Sequence, residues 1–321
     1  MSRTLAVVIP GLSEARRNRI RAAAEEKGYR TFFAERVNEA EAALAEAEIV
    51  FSQDSAVCRL APEMRWVCTP FAGVDNFLLP GLFANPEAVL TSSSGAYGVT
   101  ISEHVVMVTL EMMRRQAEYN EIVRARDWRR DLKIDSIRGS RVTLLGTGDI
   151  GRECAKRLRA FGPACLTGVN RRGMNPEGLF DRVETVGQLD RLLPETDLLI
   201  LSLPATEETR GVLGAERLAM LPETAYLVNV GRGSAVDQKA LEKQLREGRL
   251  RGAALDVFEQ EPIPAEDSLW ECPRLLITTH VAGNMTLGYT VERIIDLFLE
   301  NFENWTEGRP LKRLIDRNTG Y

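Results

Sequence analysis

Residues 142–151 read VTLLGTGDIG, and this short stretch decides the fold of the chain. The apolar run 142–145 has the composition of a buried strand, and a GxGxxG motif follows it directly before a helical pattern begins. Gly146 allows a tight turn, Gly148 lets the backbone approach a pyrophosphate, and Gly151 lets helix and strand pack closely. The order strand, glycine loop, helix predicts a dinucleotide-binding unit whose helix N-terminus faces the phosphates.

The same alternation of apolar runs and helical patterns continues on both sides of this loop. On the C-terminal side there are six strand candidates, at residues 142–145, 165–169, 198–201, 226–230, 253–257 and 275–278. On the N-terminal side, strand-like runs occur at residues 5–9, 31–33, 49–52 and 66–69. Strands that alternate with helices form parallel sheets covered by helices on both faces. The predicted fold class is therefore α/β, with two doubly wound parallel-sheet domains, the second of the Rossmann dinucleotide-binding type.

Two long helical segments complete the predicted architecture. Residues 100–124 are too apolar for a surface helix, so we expect one helix buried between layers. Residues 286–305 form a second helix, which follows the sixth strand. We expect residues 1–98 and 287–321 to form the substrate domain, with the dinucleotide-binding domain, residues 99–286, inserted into it.

Composition excludes several classes of function. The 321 residues carry a net charge of −5, which argues against general affinity for nucleic acid. No apolar stretch approaches the roughly 18–20 residues that span a bilayer, and the apolar N-terminal run is too short for a signal peptide. The five cysteines have neither zinc nor redox spacing, so we expect reduced thiols, no metal site and a cytoplasmic location.

The residues that follow the second strand of the glycine-loop domain indicate the choice of cofactor. An NAD site usually carries an acid there, but residues 170–172 are Asn170, Arg171 and Arg172. Because an arginine at this place can accept a 2′-phosphate, we predict that NADP is preferred and that NAD remains possible. Asp149 is unusual beside a phosphate, and the simplest expectation is that it favours the helix dipole and points to solvent.

Three further segments place polar groups directly after predicted strands: residues 228–233 (VNVGRG), 254–262 (ALDVFEQEP) and 278–283 (TTHVAG). Ligands bind at this edge of open parallel sheets. Together with the glycine loop, these segments closely resemble the D-isomer-specific 2-hydroxyacid dehydrogenase family. The resemblance covers nearly the whole chain and includes segments at 71–75 (FAGVD), 102–104 (SEH), 203–209 (LPATEET) and 320–321 (GY).

This resemblance implies that Arg232, Glu261 and His280 are the catalytic residues. Arg232 would pair with the carboxylate of a 2-ketoacid and polarise its ketone oxygen through the planar guanidinium. His280 would protonate that oxygen during reduction and act as the base in oxidation, while Glu261 orients the ring. Glu259 is the rival acid, but the family pattern places the acid directly before the proline. His104, inside an apolar helix, is expected to be a satisfied structural residue.

The resemblance also implies how cofactor and substrate are bound. Gly73 and Val74 would offer backbone N–H groups to the substrate carboxylate, in addition to Arg232 and His280. Asp256, with Val230, would bind the nicotinamide carboxamide, although it could instead bond nearby backbone. The implied cofactor contacts are Gly146, Gly148, Asp149, Ile150, Gly151, Asn170, Arg171, Arg172, Leu203, Pro204, Thr209, Val230, Asp256 and Gly283.

The function predicted from these features is hydride transfer between NADP(H) and a small D-2-hydroxyacid or 2-ketoacid, such as glyoxylate or hydroxypyruvate. The family implies an active site in the cleft between the domains and a homodimer formed through the cofactor domain, which agrees with the apolar segment 100–124. Two alternatives remain open. One is a cofactor-sensing binding protein of the corepressor type, and the other is phosphoglycerate dehydrogenase. At Thr279 the sequence departs from the proline of many relatives.

Overall fold

A computed structural model describes residues 3–175, 177–317 and 320 of the chain. They divide into two compact units. The first unit comprises the chain up to Ala96 and from Met285 onward, and the second is Tyr97–Asn284. Each unit contains one parallel sheet with helices between its strands, which confirms the predicted α/β class. Tyr321, which belongs to the family resemblance, lies outside the described residues.

The sheet of the first unit has five parallel strands in the order β2-β1-β3-β4-β5. The strands are β1 (Arg3–Val8), β2 (Tyr29–Ala34), β3 (Ala47–Ser52), β4 (Trp66–Cys68) and β5 (Val89–Thr91). Four of them coincide with predicted runs. The sequence analysis missed β5 (VLT), which leads directly into the polar segment Ser92-Ser93-Ser94.

The described residues of the first unit form four α-helices: α1 (Glu14–Glu26), α2 (Glu41–Ala45), α3 (Val57–Leu60) and α10 (Gly288–Thr306). The C-terminal helix α10 returns to this sheet. Its Phe298 stacks on Phe51 of β3, with ring centroids 4.3 Å apart, and on Trp66 of β4, at 5.5 Å. Because these rings are fully buried, the tail helix is an integral part of the first unit's core.

The sheet of the second unit has seven parallel strands in the order β12-β11-β10-β9-β6-β7-β8. They are β6 (Arg141–Leu145), β7 (Cys165–Val169), β8 (Arg182–Glu184), β9 (Leu198–Leu201), β10 (Tyr226–Asn229), β11 (Gly252–Leu255) and β12 (Leu275–Ile277). Strand order reverses between β6 and β9, as in doubly wound dinucleotide-binding sheets. The prediction of six strands was wrong by one. The edge strand β8 (RVE) is short and charged, so it shows no apolar run.

The helices of the second unit are α4 (Gly98–Met113), α5 (Gln116–Arg124), α6 (Asp149–Arg159), α7 (Leu189–Leu192), α8 (Ala215–Met220) and α9 (Gln238–Arg246). The single helix predicted over 100–124 is wrong, because Arg115 adopts a left-handed conformation with φ of 56° and separates α4 from α5. The expected burial holds for one face only: Val105 and Val108 are buried, whereas Met107 is 49% exposed. No described helix is both long and apolar enough to cross a membrane.

Candidate active site

The glycine loop between β6 and α6 has the geometry that a dinucleotide requires. Gly146 has φ of +101°, a conformation that L side chains rarely adopt. A β-carbon on Gly151 would lie 2.0 Å from the carbonyl oxygen of Gly146, so only glycine allows this approach of helix and loop. Gly148, at the N-cap of α6, faces open space. The loop therefore offers backbone N–H groups to a pyrophosphate without a side chain in between.

Asp149 does not point freely into solvent, contrary to the expectation. Its Oδ2 accepts a hydrogen bond of 2.8 Å from the backbone N–H of Gly98, the first residue of α4. A β-carbon on Gly98 would lie 2.6 Å from the same oxygen, so the close contact depends on glycine. The carboxylate thus caps another helix, and only the backbone of Asp149 remains for its predicted role at the phosphates.

The loop after β7 carries the residues predicted to select the cofactor. The Asn170 side chain donates to the Thr147 hydroxyl of the glycine loop at 2.8 Å and accepts from the backbone of Arg172 at 3.0 Å. The side chains of Arg171 and Arg172 are exposed. Asn170 therefore connects the loop after β7 to the glycine loop.

The segment after β9 is a compact turn that adjoins the segment carrying Arg232. The Thr209 hydroxyl donates to the carbonyl oxygen of Pro204 at 2.6 Å and accepts from the backbone of Thr206 at 2.9 Å. A β-carbon on Gly231, next to the buried Val230, would lie 2.7 Å from the backbone nitrogen of Leu203. These contacts pack the predicted cofactor loop 203–209 against the segment that carries Arg232.

His280 and Glu261 form a short pair at the carboxyl edge of the second sheet. His280 Nδ1 lies 2.6 Å from Glu261 Oε2, and the other carboxylate oxygen accepts from the backbone N–H of Phe258 at 2.8 Å. Because a carboxylate only accepts, the bond places a proton on Nδ1 and leaves Nε2 for exchange with a ligand. About half of the His280 side chain is exposed, so a ligand can reach it.

Glu259, the rival acid, does not contact His280. Its backbone N–H donates to Gln238 Oε1 at 2.8 Å, and its own Oε1 accepts from the backbone of Gln238 at 3.3 Å. This reciprocal pair attaches Glu259 to the start of α9. The geometry therefore favours Glu261 as the partner of the histidine, in agreement with the family pattern.

Arg232 follows β10, next to the loop that carries Glu261. A β-carbon on Gly233 would lie 1.9 Å from the carbonyl carbon of Phe258, so the two loops cross in direct contact. The buried Asn229 donates to the carbonyl oxygen of Arg232 at 3.0 Å and accepts from the Gly231 N–H at 3.0 Å. The sequence analysis did not identify Asn229, although an asparagine at the end of a buried strand is a detectable signal.

Asp256 is buried, and its carboxylate anchors the segment that carries His280. One oxygen accepts from the Thr278 hydroxyl at 2.6 Å and from the Val281 N–H at 2.9 Å, and the other accepts from Ala282 N–H at 3.0 Å. The alternative role in bonding nearby backbone is thus present. Contact with the nicotinamide carboxamide stays a prediction.

The remaining predicted residues are placed as follows. Ile150 lies in the first turn of α6. Gly283 packs closely on α4, since a β-carbon there would lie 3.0 Å from a side-chain carbon of Ile101. Gly73 and Val74 lie in the first unit, after β4, and Val74 is buried. The structure brings the three residues predicted to be catalytic to neighbouring strand ends of one sheet, whereas their role and substrate binding by Gly73 and Val74 stay predictions.

The first unit also contains a cavity of about 960 Å³ at the carboxyl ends of β1, β2 and β3. Its lining is Val8, Pro10, Glu35, Arg36, Val37, Asn38, Glu39, Gln53 and Asp54. This lining includes no predicted catalytic or cofactor-binding residue. The acidic side chains of the lining already accept hydrogen bonds from the protein; Glu35, for example, accepts from the backbone N–H of Gly11 at 2.7 Å. We therefore base the functional assignment on the strand ends of the second unit.

Comparison with known proteins identifies the family. The family model described as D-isomer specific 2-hydroxyacid dehydrogenase, NAD binding domain, matches residues 106–282. The chain belongs to this family. It is 33% identical over 236 residues to a glyoxylate reductase of Thermofilum pendens, which covers 72% of this chain and 69% of the relative.

Two solved structures agree with this membership of the D-2-hydroxyacid dehydrogenases. A family protein from Aeromonas salmonicida matches with a TM-score of 0.87 and 32% identity, over 99% of this chain and 100% of that one. An NADPH-dependent glyoxylate/hydroxypyruvate reductase from Sinorhizobium meliloti, in complex with NADP and sulfate, matches with a TM-score of 0.82 and 27% identity, over 99% and 100%.

Family membership establishes the class of reaction. The chain is an NAD(P)-dependent oxidoreductase of 2-hydroxyacids, and the glycine loop with its open face at Gly148 fits the dinucleotide. Family membership favours a 2-hydroxyacid dehydrogenase over the corepressor-type binding protein. The similarity to glyoxylate and hydroxypyruvate reductases favours reduction of a small 2-ketoacid over the phosphoglycerate dehydrogenase alternative.

Proposed function

We propose that this dehydrogenase reduces small 2-ketoacids of the glyoxylate or hydroxypyruvate type with NADPH, and that Arg232, Glu261 and His280 are its catalytic residues. The observation that carries the proposal is the 2.6 Å bond between His280 Nδ1 and Glu261 Oε2. The bond lies at the carboxyl edge of the second sheet, one loop away from Arg232.

The three side chains have complementary chemistry for this reaction. Arg232 binds the substrate carboxylate with its planar guanidinium and polarises the ketone oxygen. The protonated His280 gives its Nε2 proton to that oxygen, and Glu261 holds the ring in position through Nδ1. A bound nicotinamide cofactor supplies the hydride. In the first unit, Gly73 and Val74 bind the carboxylate through their backbone N–H groups.

The proposal includes a preference for NADPH over NADH. Its basis is the sequence Asn170-Arg171-Arg172 after β7, where no acid is present to bind a ribose 2′-hydroxyl. Both arginine side chains are exposed at this place, and an exposed guanidinium can bind a 2′-phosphate in bidentate fashion. The Sinorhizobium meliloti relative, described as NADPH-dependent, supports the same preference.

We also propose a cytoplasmic homodimer that forms through the second unit, and the domain roles given above. Unpaired cysteines are typical of reducing compartments, and all five cysteines of the chain are free. Support for the dimer comes from apolar side chains that the single chain exposes between residues 107 and 134. These are Met107, Val123, Trp128 and Ile134, which are 49%, 71%, 87% and 45% exposed.

A spectrophotometric assay at 340 nm tests the reaction. The purified protein is supplied with NADPH or NADH and a panel of 2-ketoacids, and His280→Ala is the control. We expect oxidation that depends on the ketoacid and on His280, with a lower KM for NADPH that Arg171→Ala raises. Tight cofactor binding without turnover of any ketoacid would refute the proposed reaction, and a lower KM for NADH would refute the cofactor preference.

A further inference from the structure

His104 lies on α4 and contacts the segment that carries the catalytic histidine. Its Nε2 is 3.2 Å from the hydroxyl oxygen of Thr278, two residues before His280. The residue is only partly exposed. It is 174 positions from Thr278 along the chain, so packing of α4 against the sheet creates this contact.

The direction of the hydrogen bonds can be assigned from the donors available. The Thr278 hydroxyl has one proton and gives it to Asp256 Oδ1, at the short distance of 2.6 Å. Its oxygen can then only accept from the His104 ring, so Nε2 carries a proton. His104, Thr278 and Asp256 thus form a directed chain in which every bond polarises the next.

This chain ends on the backbone of the catalytic loop. The Asp256 carboxylate accepts hydrogen bonds from the backbone N–H groups of Val281 and Ala282. The backbone carbonyl oxygen of Asp256 accepts from the backbone N–H of His280 at 2.9 Å. His280 itself has φ of 56°, a strained conformation for a non-glycine residue. Surrounding contacts must stabilise that conformation, and the bonds to Asp256 flank it on both sides.

We propose that His104 is a positioning residue for the reaction, which acts through Thr278 and Asp256 on the backbone conformation of His280. The role rests on the proposed function of His280 as proton donor. The bond from His104 fixes the direction in which the Thr278 hydroxyl points. The Asp256 carboxylate then keeps one orientation and continues to accept from the backbone of Val281 and Ala282.

The surroundings of His104 favour the neutral ring that this role uses. Burial lowers the pKa of His104 below its usual value, and the carboxylates of Asp256 and Glu111 offset part of that effect. A neutral ring with its proton on Nε2 donates to Thr278 without introducing a positive charge beside Asp256.

Imidazole NMR of protein labelled with ¹⁵N-histidine tests the role without turnover. The chain has only two histidines, so His280→Ala assigns both signals. We expect the Nε2-protonated tautomer at His104, and a shifted or broadened His280 signal in His104→Leu and in Thr278→Val. His104→Gln and Thr278→Ser, which keep the donor and the hydroxyl, should restore it. An unchanged His280 signal in both disrupting variants would overturn the proposal.

Steady-state kinetics give the second readout. We expect His104→Leu to lower kcat about ten-fold with little change in KM, because a small misplacement of the proton donor slows the chemical step. His104→Gln should recover most of that loss. Val108→Ala, a buried truncation on the same helix, should lower Tm but leave kcat and the His280 signal in place. Equal losses in His104→Gln and His104→Leu would overturn the proposal, whereas wild-type protein without turnover would refute only the proposed function.

Discussion

At the scale of single residues, the position of an acid in its loop decides its role. Glu261 and Glu259 are two positions apart, yet their carboxylates have different partners. Glu261 is held by the backbone of its own loop at Phe258 and has one oxygen left for His280. Glu259 is held by Gln238 at the start of α9. The local backbone therefore selects one of two chemically equal side chains.

The pair predicts different effects for two matched substitutions. Glu261→Gln should lower kcat about 100-fold, because a neutral amide holds the Nδ1–H of His280 less firmly than a carboxylate and orients the ring less well. Glu259→Gln should change kcat less than about three-fold, since it removes the same charge outside the bond to His280. Initial rates at saturating ketoacid and cofactor measure both. Similar losses in the two variants would argue against Glu261 as the partner in catalysis.

At the scale of elements, the strand–loop–helix unit of β6 and α6 combines two kinds of glycine. Gly151 is needed for packing, because a β-carbon would lie 2.0 Å from the Gly146 oxygen. A β-carbon on Gly148 would have no neighbouring atom within 4 Å, and the φ of −71° at this residue suits any amino acid. Packing among the described residues therefore does not require glycine at position 148, whereas the approach of a cofactor phosphate, as proposed, would require it.

This difference predicts opposite effects of adding one methyl group. Gly151→Ala should lower the free energy of unfolding by about 1–3 kcal/mol through overpacking. Gly148→Ala should change it by less than about 1 kcal/mol, the range of a weaker N-cap, yet raise the Kd for NADPH at least about ten-fold. Urea unfolding and cofactor titration by fluorescence separate the two quantities. Unaltered NADPH affinity in Gly148→Ala would contradict the predicted phosphate site.

At the scale of the whole molecule, the surface of the second unit indicates self-association. The helical pair α4–α5 and the chain after it expose large apolar side chains, including Trp128 at 87% and Val123 at 71%. Aromatic and aliphatic groups of this size are typical of subunit interfaces. In the proposed dimer, the apolar side chains that predicted a buried helix over 100–124 would pack between two chains as well as within one.

The proposed dimer can be tested by light scattering after size exclusion. The wild-type protein should have about twice the 35.8 kDa mass of the chain, whereas Val123→Asp should shift the population toward the monomer. Leu79→Asp, an equally apolar and 54% exposed position of the first unit, is the matched control and should remain dimeric. A monomeric wild-type protein at micromolar concentration would refute the homodimer.

Much of this protein follows from short-range sequence patterns. The strand at 142–145, its glycine loop and the following helix are encoded within about twenty residues, so periodicity and glycine spacing predict them. Arg232, Glu261 and His280 could be proposed because the short segments that carry them, each after an apolar strand, resemble segments of the D-2-hydroxyacid dehydrogenases. The strand–loop–helix unit and these three segments depend on local backbone conformation, which neighbouring residues largely determine.

Only the tertiary structure decided the features that depend on which elements are adjacent. Asp149 bonds Gly98, 51 positions away, and His104 bonds Thr278, 174 positions away. The break at Arg115 has neither glycine nor proline to mark it, and the edge strand β8 has no apolar run. Polar side chains of this kind satisfy their hydrogen bonds with whatever packing brings near them. Their partners are therefore set by the arrangement of the sheet and its helices, not by their neighbours in sequence.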